Sequence, residues 1–450
     1  MSYYKPQLSF WQIINMNVGF FGIQYSFGLQ QTAINPIYTF LHADPEQLPI
    51  LNLAGPMTGL LIQPIIGAMS DKTWHPRWGR RKPYFLVGAI LCSLCLFAFP
   101  FSSSLWMAVG LLWILDAANN TAMEPYRAFV VDKLPDNQYS MGFLTQSFFT
   151  GLGITLANLS IPYFKEIISG QAQSGIPYWA FGSFFIGAVC SISSVLWSLF
   201  TTKELPPPPE VMDYILKKNN HGIFEPFVEI AEAIKTMPKA MWQLALVYLF
   251  QWYALFCYWQ FASPTIAQTI FKVVKQHGIE LTPAQSANYE NAVALTGSVN
   301  GWYNVVTFLS AFGLAYLAKI ISPKFIHFAC LVLAGIGLLV FPHITDPSWL
   351  YAPMTGFGIA WASMMGIPYL LVVNSIPKER YGVYMGIINM MIVIPMIIQT
   401  LSFGYIFKHF LGGAENPSIA ISFAGILLII AAAAVLLINV DSTKEKVVTA

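Results

Sequence analysis

Residues 115–132 read Leu-Asp-Ala-Ala-Asn-Asn-Thr-Ala-Met-Glu-Pro-Tyr-Arg-Ala-Phe-Val-Val-Asp, a polar inscription on an otherwise apolar stretch. The groups able to do chemistry are Asp116, Asn119, Asn120, Glu124 and Arg127. At 100° per residue a helix would place Arg127 about 20° round from Asp116, with Asn120 and Asn119 to either side at about 40° and 60°. One face then carries acid, amide and base, its charged ends about 16 Å apart at 1.5 Å rise per residue. An isolated carboxylate in an apolar medium is costly when ionised, which suits Asp116 to exchanging a proton. Glu124, three residues before Arg127, is the nearer partner for the cation. Such a face inside a membrane marks a route for something polar.

The rest of the chain supplies that membrane. Of its 450 residues 56% are hydrophobic and only 10% charged, with a mean hydropathy of +0.58, whereas soluble domains carry about 25% charge. The net charge of +2 gives no sign of nucleic-acid binding. Windows of about 20 apolar residues predict twelve spans, near 9–29, 48–69, 84–102, 105–131, 140–163, 177–200, 240–263, 290–318, 325–342, 349–375, 383–407 and 417–438. Pro56, Pro64, Pro125, Pro368 and Pro395 fall inside them, which is tolerable where neighbouring helices satisfy the freed backbone groups. The first run follows a single lysine, Lys5, with no small-residue cleavage site after it, and reads as a retained span. The five cysteines all lie in apolar runs and read as packed small hydrophobes; no metal site is expected.

Charge sets the topology. With the start of the chain inside, eighteen of the 23 Lys and Arg fall in cytoplasmic segments, four on the other side (Lys165, Lys272, Lys275, Lys408) and Arg127 within the membrane. The longest polar segment, Thr201 to Pro238, opens on a stiff Pro206–Pro209 run and contains a short amphipathic stretch, Phe227 to Ile234. It divides the chain into six spans and six: a first bundle over 1–200, a cytoplasmic linker over 201–238, a second bundle over 239–440 and a cytoplasmic tail over 441–450. The fold class is thus an all-α membrane protein of twelve transmembrane helices in two pseudo-symmetric six-helix bundles, with a site between them at midplane. Thr265 to Tyr289 reads as an ordinary external loop.

After the second span the chain reads Gly67-Ala-Met-Ser-Asp71-Lys-Thr-Trp-His-Pro-Arg77-Trp-Gly79-Arg80-Arg81-Lys-Pro. A small residue lets helices approach, an acid stands at the membrane surface and an arginine cluster follows; Asp132, at the inner end of span 4, is a partner for one of those arginines. The spacing resembles the signature loop of the major facilitator superfamily, with about five residues inserted before Arg77, and implies a gating salt-bridge network of Asp71, Arg77, Arg80, Arg81 and Asp132. Further stretches narrow the resemblance: Gly55-Pro56 to Gly67, Arg77 to Pro83, Leu115 to Asn120, Pro125 to Ala128, Asn389 to Pro395 and Gly412 to Pro417. Together they look like the plant sucrose carriers and their relatives, densely over residues 20–150 and more thinly beyond. The run Met123 to Pro135 looks closer to bacterial members associated with maltose.

That resemblance implies a proton-coupled disaccharide symporter in a bacterial inner membrane, multi-pass, with the proton as coupling ion and no cofactor. It puts the coupling acid at Asp116 and the intramembrane arginine at Arg127. Glu124 stands where the plant carriers have glycine, which adds a second titratable group. Residue physics agrees: a carboxylate accepts from two sugar hydroxyls at once, and protonation would weaken that grip, linking proton to sugar. Sugar sites also take amides and flat apolar faces. The candidates for substrate binding are Asp116, Asn119, Asn120, Gln24, Gln63 and Gln146 in the first half, and Gln251, Trp259, Asn304 and Asn389 in the second. The alternative is a sodium-coupled glycoside carrier of the melibiose type. No H-E-x-x-H, G-x-S-x-G or histidine cluster supports an enzyme. A lipid bilayer and a disaccharide are the expected partners, and a monomer the expected state.

Overall fold

A computed structural model describes residues 5–41, 51, 54–217, 225–273, 282–411 and 416–439. Lys275, Glu280, Gly412-Gly413 and the tail lysines Lys444 and Lys446 lie outside them. Twelve long helices run through the described residues: α1 (Phe10–Phe40), α2 (Ala54–Asp71), α3 (Lys82–Ala98), α4 (Leu105–Lys133), α5 (Tyr139–Ile167) and α6 (Tyr178–Thr201), then, after two short helices α7 (Pro209–Lys217) and α8 (Glu225–Lys235), α9 (Lys239–Thr269), α10 (Pro283–Ile320), α11 (Pro323–Val340), α12 (Tyr351–Val372), α13 (Tyr381–Phe410) and α14 (Ser418–Val435). Among the described residues the only extended pairing is two isolated bridges, His75 with Gly79 and Gln171 with Pro177. The architecture is the expected all-α membrane fold.

Local sequence sets the helix starts. Ser104, extended at φ −147°, accepts from the Met107 N–H to begin α4. Thr282 and Gln285 close a reciprocal capping box ahead of α10, with Pro283 in its first turn. The ends differ from the hydropathy windows in three places. The α1 window stops near residue 29, where Gln30, Gln31 and Thr32 begin, yet the helix runs to Phe40. Thr32 Oγ1 returns a bond of 2.7 Å to the Gly28 carbonyl and lies 3.1 Å from Asn158 on α5, so its polarity is spent without breaking the turn. Likewise α9 continues to Thr269 and α10 begins at Pro283. Helix α7, which the proline run hides, starts at Pro209, a residue suited to a first turn, with Glu210 beside it at the positive end of the helix.

Eight of the long helices hold windows apolar enough to cross a membrane by length and composition, among the described residues. The other four are α1, α2, α4 and α5, and these carry Gln24, Gln63, Asp116, Asn119, Asn120, Glu124, Arg127 and Gln146. The helices weakest as membrane spans are therefore those that hold the polar face.

The chain forms two compact units, Met1–Met237 with Val373–Met390, and Pro238–Val372 with Met391–Ala450. Each repeats one packing scheme. In the first unit α1 packs on α6, α2 on α4, and α3 on both α4 and α6; in the second α9 packs on α14, α10 on α12, and α11 on both α12 and α14. Correspondence of each long helix with the one six long helices further on is what an internal repeat leaves. Small residues permit the close crossings: a Cβ on Gly88 of α3 would stand 2.7 Å from the Ala118 carbonyl of α4.

Helix α8 covers the Phe227–Ile234 stretch expected to be amphipathic and is tied to the first unit. Lys72 Nζ lies 2.9 Å from Glu229, Arg380 Nη2 lies 3.1 Å from Glu232, and the Tyr384 hydroxyl donates to the Ala233 carbonyl at 3.2 Å.

Candidate functional site

Helix α4 runs unbroken through Pro125, so the face read from the sequence exists, and Asp116, Asn119, Asn120, Glu124 and Arg127 are all buried on it. Asp116 is 3% exposed and makes no ion pair among the described residues. The Gln30 side chain lies beside it, and Gly55 of α2 leaves room there, since even an added Cβ would stay 3.8 Å from Oδ2. Arg127 pairs one turn back along the helix: its Nη1 lies 2.7 Å from Glu124 Oε1. Glu124 is fully buried, with its second oxygen unpartnered.

Around this acid the amides cross-link the first unit. Asn119 Nδ2 donates to Ser26 Oγ of α1 at 2.8 Å, and Asn120 Nδ2 to Thr58 Oγ1 of α2 at 2.9 Å. Gln63 Nε2 donates to Asn120 Oδ1. Gln146 Nε2 reaches Asn17 Oδ1 at 3.2 Å and the Tyr126 carbonyl at 3.3 Å, while Gln24 Nε2 meets the Met123 sulfur at 4.0 Å. Asn389, in the third turn of α13, donates to the Gly59 carbonyl at 3.0 Å. These first-unit candidates thus form a hydrogen-bonded lattice on α1, α2, α4, α5 and α13. Its loose positions are the Gln63 and Asn119 carbonyl oxygens, buried and without partners. Ser26 and Thr58, the hydroxyls that anchor the two asparagines, escaped the sequence reading because nothing local distinguishes them.

In the second unit Gln251 is wholly buried with neither amide atom paired. Asn304 Nδ2 is used on the Asn300 carbonyl at 2.9 Å, one turn back, and its Oδ1 is free. Trp259 is partly exposed and touches Trp252 and Trp361 at ring-centroid distances of 6.4 and 5.8 Å.

The loop after α2 builds a second charged centre, in the first unit. Arg81, fully buried, reaches Asp71 Oδ1 through Nη2 at 2.7 Å, Asp132 Oδ2 through Nε at 2.7 Å and Ser70 Oγ through Nη1. Arg80 Nη2 donates to the Asp71 carbonyl at 2.8 Å and the Glu379 carbonyl at 3.1 Å, and its Nη1 lies 3.6 Å from Asp132. Asp132 therefore meets both arginines. Asp71 in turn accepts from the Gly382 and Val383 N–H groups at 2.9 Å each, a carboxylate at the positive end of α13. Gly67 allows this crossing, because a Cβ there would sit 2.2 Å from the Gly382 carbonyl. Arg77 stands apart, exposed in the tight turn whose amides His75 Nδ1 accepts.

Glu204, just past α6, completes the centre and was not among the sequence candidates. Its carboxylate accepts from the Arg81 N–H at 2.9 Å, at the start of α3, and fills the space beside Gly79, whose φ is +76°. Burial pushes its pKa up, against the Arg81 amide that favours the charged form. An acid directly after a span that ends beside a Gly-Arg-Arg loop was the available signal.

The profile of the Major Facilitator Superfamily matches residues 16–400. The chain belongs to that superfamily, and it is a multi-pass membrane carrier rather than an enzyme. It is 23% identical over 440 residues to "Sucrose transport protein SUT5" of Oryza sativa subsp. indica, covering 85% of this chain and 79% of that one. It is 24% identical over 458 residues to "Sucrose transport protein SUC4" of Arabidopsis thaliana, covering 90% and 85%. Among solved structures it is similar to the Major Facilitator Superfamily transporter FucP in the outward conformation, with a TM-score of 0.67 at 13% identity over 94% of this chain and 97% of that one. A proton:xylose symporter, XylE, bound to 6-bromo-6-deoxy-D-glucose, gives 0.64 at 13% identity, covering 94% of each.

Proposed function

We propose that the protein imports a neutral disaccharide of the sucrose or maltose type together with a proton, by alternating access. The observation that carries this is Asp116: a buried acid on α4 with no ion pair among the described residues, one turn from the Asn119 and Asn120 amides. An acid so placed is free to take and give up a proton, whereas one paired to an arginine is held ionised. Relatives named as sucrose transport proteins and fold neighbours named as fucose:proton and proton:xylose symporters support the same cargo class.

In this reading Asp116 takes its proton from outside. The neutral, sugar-loaded carrier then rearranges without exposing an ion to its apolar surroundings. Deprotonation on the inner side accompanies sugar release. The excess of lysine and arginine on that side supports reading the Asp71 centre as cytoplasmic. There the pairs of Asp71 and Asp132 with Arg80 and Arg81, and the two bonds from Asp71 to α13, act as the inner gate. They must part when that end opens.

The test is uptake of labelled maltose and sucrose into proteoliposomes, with and without an inward proton gradient. Accumulation that follows the gradient supports the reading. Accumulation that ignores pH but follows sodium replaces it with a sodium-coupled glycoside carrier.

A further inference from the structure

Beside the Asp71 centre lies a cavity of about 340 Å³, with every wall in the first unit. Ligand pockets for small molecules start near that size, at about 300 Å³. Five stretches of chain meet around it: the segment before α1 with Lys5, the α2–α3 loop with Arg80, the α4–α5 turn with Asp132 and Asp136, the linker with Glu204, and the turn ahead of α13 with Lys378. Arg80 and Asp132 already face each other at 3.6 Å. The other four charges, Lys5, Lys378, Asp136 and Glu204, make no ion pair among the described residues. Lys5 Nζ donates to the Val131 carbonyl, and Glu204 accepts from the Arg81 N–H at 2.9 Å, so backbone groups hold both in place. Like charges also stand near each other. Burial pulls the Lys5 amine down and the Lys378 charge adds to that, against Asp132 and Asp136. Burial pushes the Glu204 carboxyl up and the Asp132 charge adds to that, against the Arg81 amide. Charges drawn partly out of water without a counter-ion are costly, and here both signs are left so. Pro207 and Pro208 of the linker add an apolar wall.

We infer that this cavity binds a free α-amino acid with an apolar side chain, and that its occupant holds the inner end of the carrier closed. The ligand's carboxylate lies between Lys5 and Lys378, its ammonium meets Glu204 and Asp136, and its side chain rests on Pro207 and Pro208. A simple anion would satisfy the lysines but face two unpaired carboxylates, and a simple cation would meet the reverse. A dipolar molecule relieves both, through charge-assisted hydrogen bonds at each end. The link to the gate is short. Lys378 stands four residues before Gly382, whose N–H is bonded to Asp71. When that bond parts, the turn ahead of α13 draws away from Lys5 and Glu204, and the ligand loses half its site. A ligand that binds only the closed form shifts the carrier toward it. Amino acid accumulating inside would thus slow sugar entry. The hold on the gate rests on the reading of the Asp71 centre as the cytoplasmic gate of a sugar carrier; binding does not.

Thermal unfolding of the full chain in detergent reads binding without any transport. L-Leucine should raise the midpoint. N-Acetyl-L-leucine, which lacks the ammonium, and L-leucinamide, which lacks the carboxylate, should not. Lys378→Ala and Asp136→Asn, both at exposed positions, should each raise the leucine concentration needed about tenfold or more, the worth of one hydrogen bond to a charged group. The acetyl and amide arms use wild type alone, so they decide even if neither variant folds. In proteoliposomes with leucine on both sides, at ten times its Kd, sugar exchange should slow about tenfold. No shift with leucine, or an equal shift with the acetyl or amide form, overturns the site. A shift kept whole in both variants puts binding elsewhere and overturns it too. O-Phosphoethanolamine acting in place of leucine would give the cavity to a lipid headgroup instead. A leucine shift with undiminished exchange overturns the hold on the gate. A wild type that carries no sugar overturns the transport reading, while the leucine shift still reports the cavity.

Discussion

Arg127 Nη1 lies 2.7 Å from Glu124 Oε1, one turn back along α4, and both side chains are buried. Arg127 is thus paired with Glu124, and Asp116, three turns from Arg127 on the same helix, makes no ion pair among the described residues. Two carboxylates on one helix have different surroundings: Glu124 is paired with Arg127, and Asp116 lies beside amides. The division orders what each substitution should do.

Asp116→Asn keeps the shape and polarity of the side chain but cannot cycle a proton. A gradient of one pH unit, coupled one proton to one sugar, supports about tenfold accumulation. In the variant the inside-to-outside ratio of labelled sugar should fall to about one, while exchange of internal for external sugar continues. Accumulation that survives in Asp116→Asn would move the coupling elsewhere.

Breaking the Glu124–Arg127 pair should act on stability first. Arg127→Gln leaves a fully buried carboxylate uncompensated, a loss of about 3–5 kcal/mol for a buried pair deprived of one partner. Glu124→Gln/Arg127→Gln together should recover much of it. Thermal unfolding of wild type, Arg127→Gln, Glu124→Gln and the double variant in detergent gives the coupling energy. Equal and additive losses would show that the 2.7 Å contact carries no coupling.

Asp71→Asn weakens the acceptor shared by Arg80, Arg81 and the first turn of α13. The Gly382 and Val383 amides, both bonded to that carboxylate, should then exchange with deuterium about tenfold faster or more. Asp346→Asn, which alters only an exposed cap on Ser348, is the control and should leave the 379–386 peptide unchanged. Protection that persists in Asp71→Asn would mean the helix end is held by packing at Gly67 and Gly386 rather than by charge.

How much of this could be read from the chain depended on range. The Glu124–Arg127 contact follows from a three-residue spacing on a helix, and the meeting of Asp132 with the arginines from a motif that places both at one membrane surface. Helix α1 ran past its window because Thr32 satisfies itself on Gly28, which a hydropathy average counts only as polarity. Glu204 acts through backbone amides across more than 120 residues, and a backbone partner leaves no mark in side-chain types. The cavity beside the gate was visible only as separate charges. That Lys5, Asp136, Glu204 and Lys378 line one space depends on where five stretches of chain meet, which no local pattern encodes.

The helix crossings make a last, opposed pair of predictions. On α11 and α14, Gly335 and Gly425 face each other so closely that a Cβ on Gly425 would meet the Gly335 carbonyl at 2.8 Å and the Leu339 N at 3.0 Å. Both obstacles are backbone, so Gly425→Ala must push the helices apart, at about 1–3 kcal/mol for overpacking. Gly110 sits inside α4 with nothing within 4 Å of where its Cβ would be. There the substitution only removes backbone freedom from the unfolded chain, so Gly110→Ala should stabilise by about 0.5–1 kcal/mol. Thermal unfolding should move down for the first and up for the second. A Gly425→Ala protein as stable as wild type would show that the α11–α14 crossing has slack that the 2.8 Å approach denies.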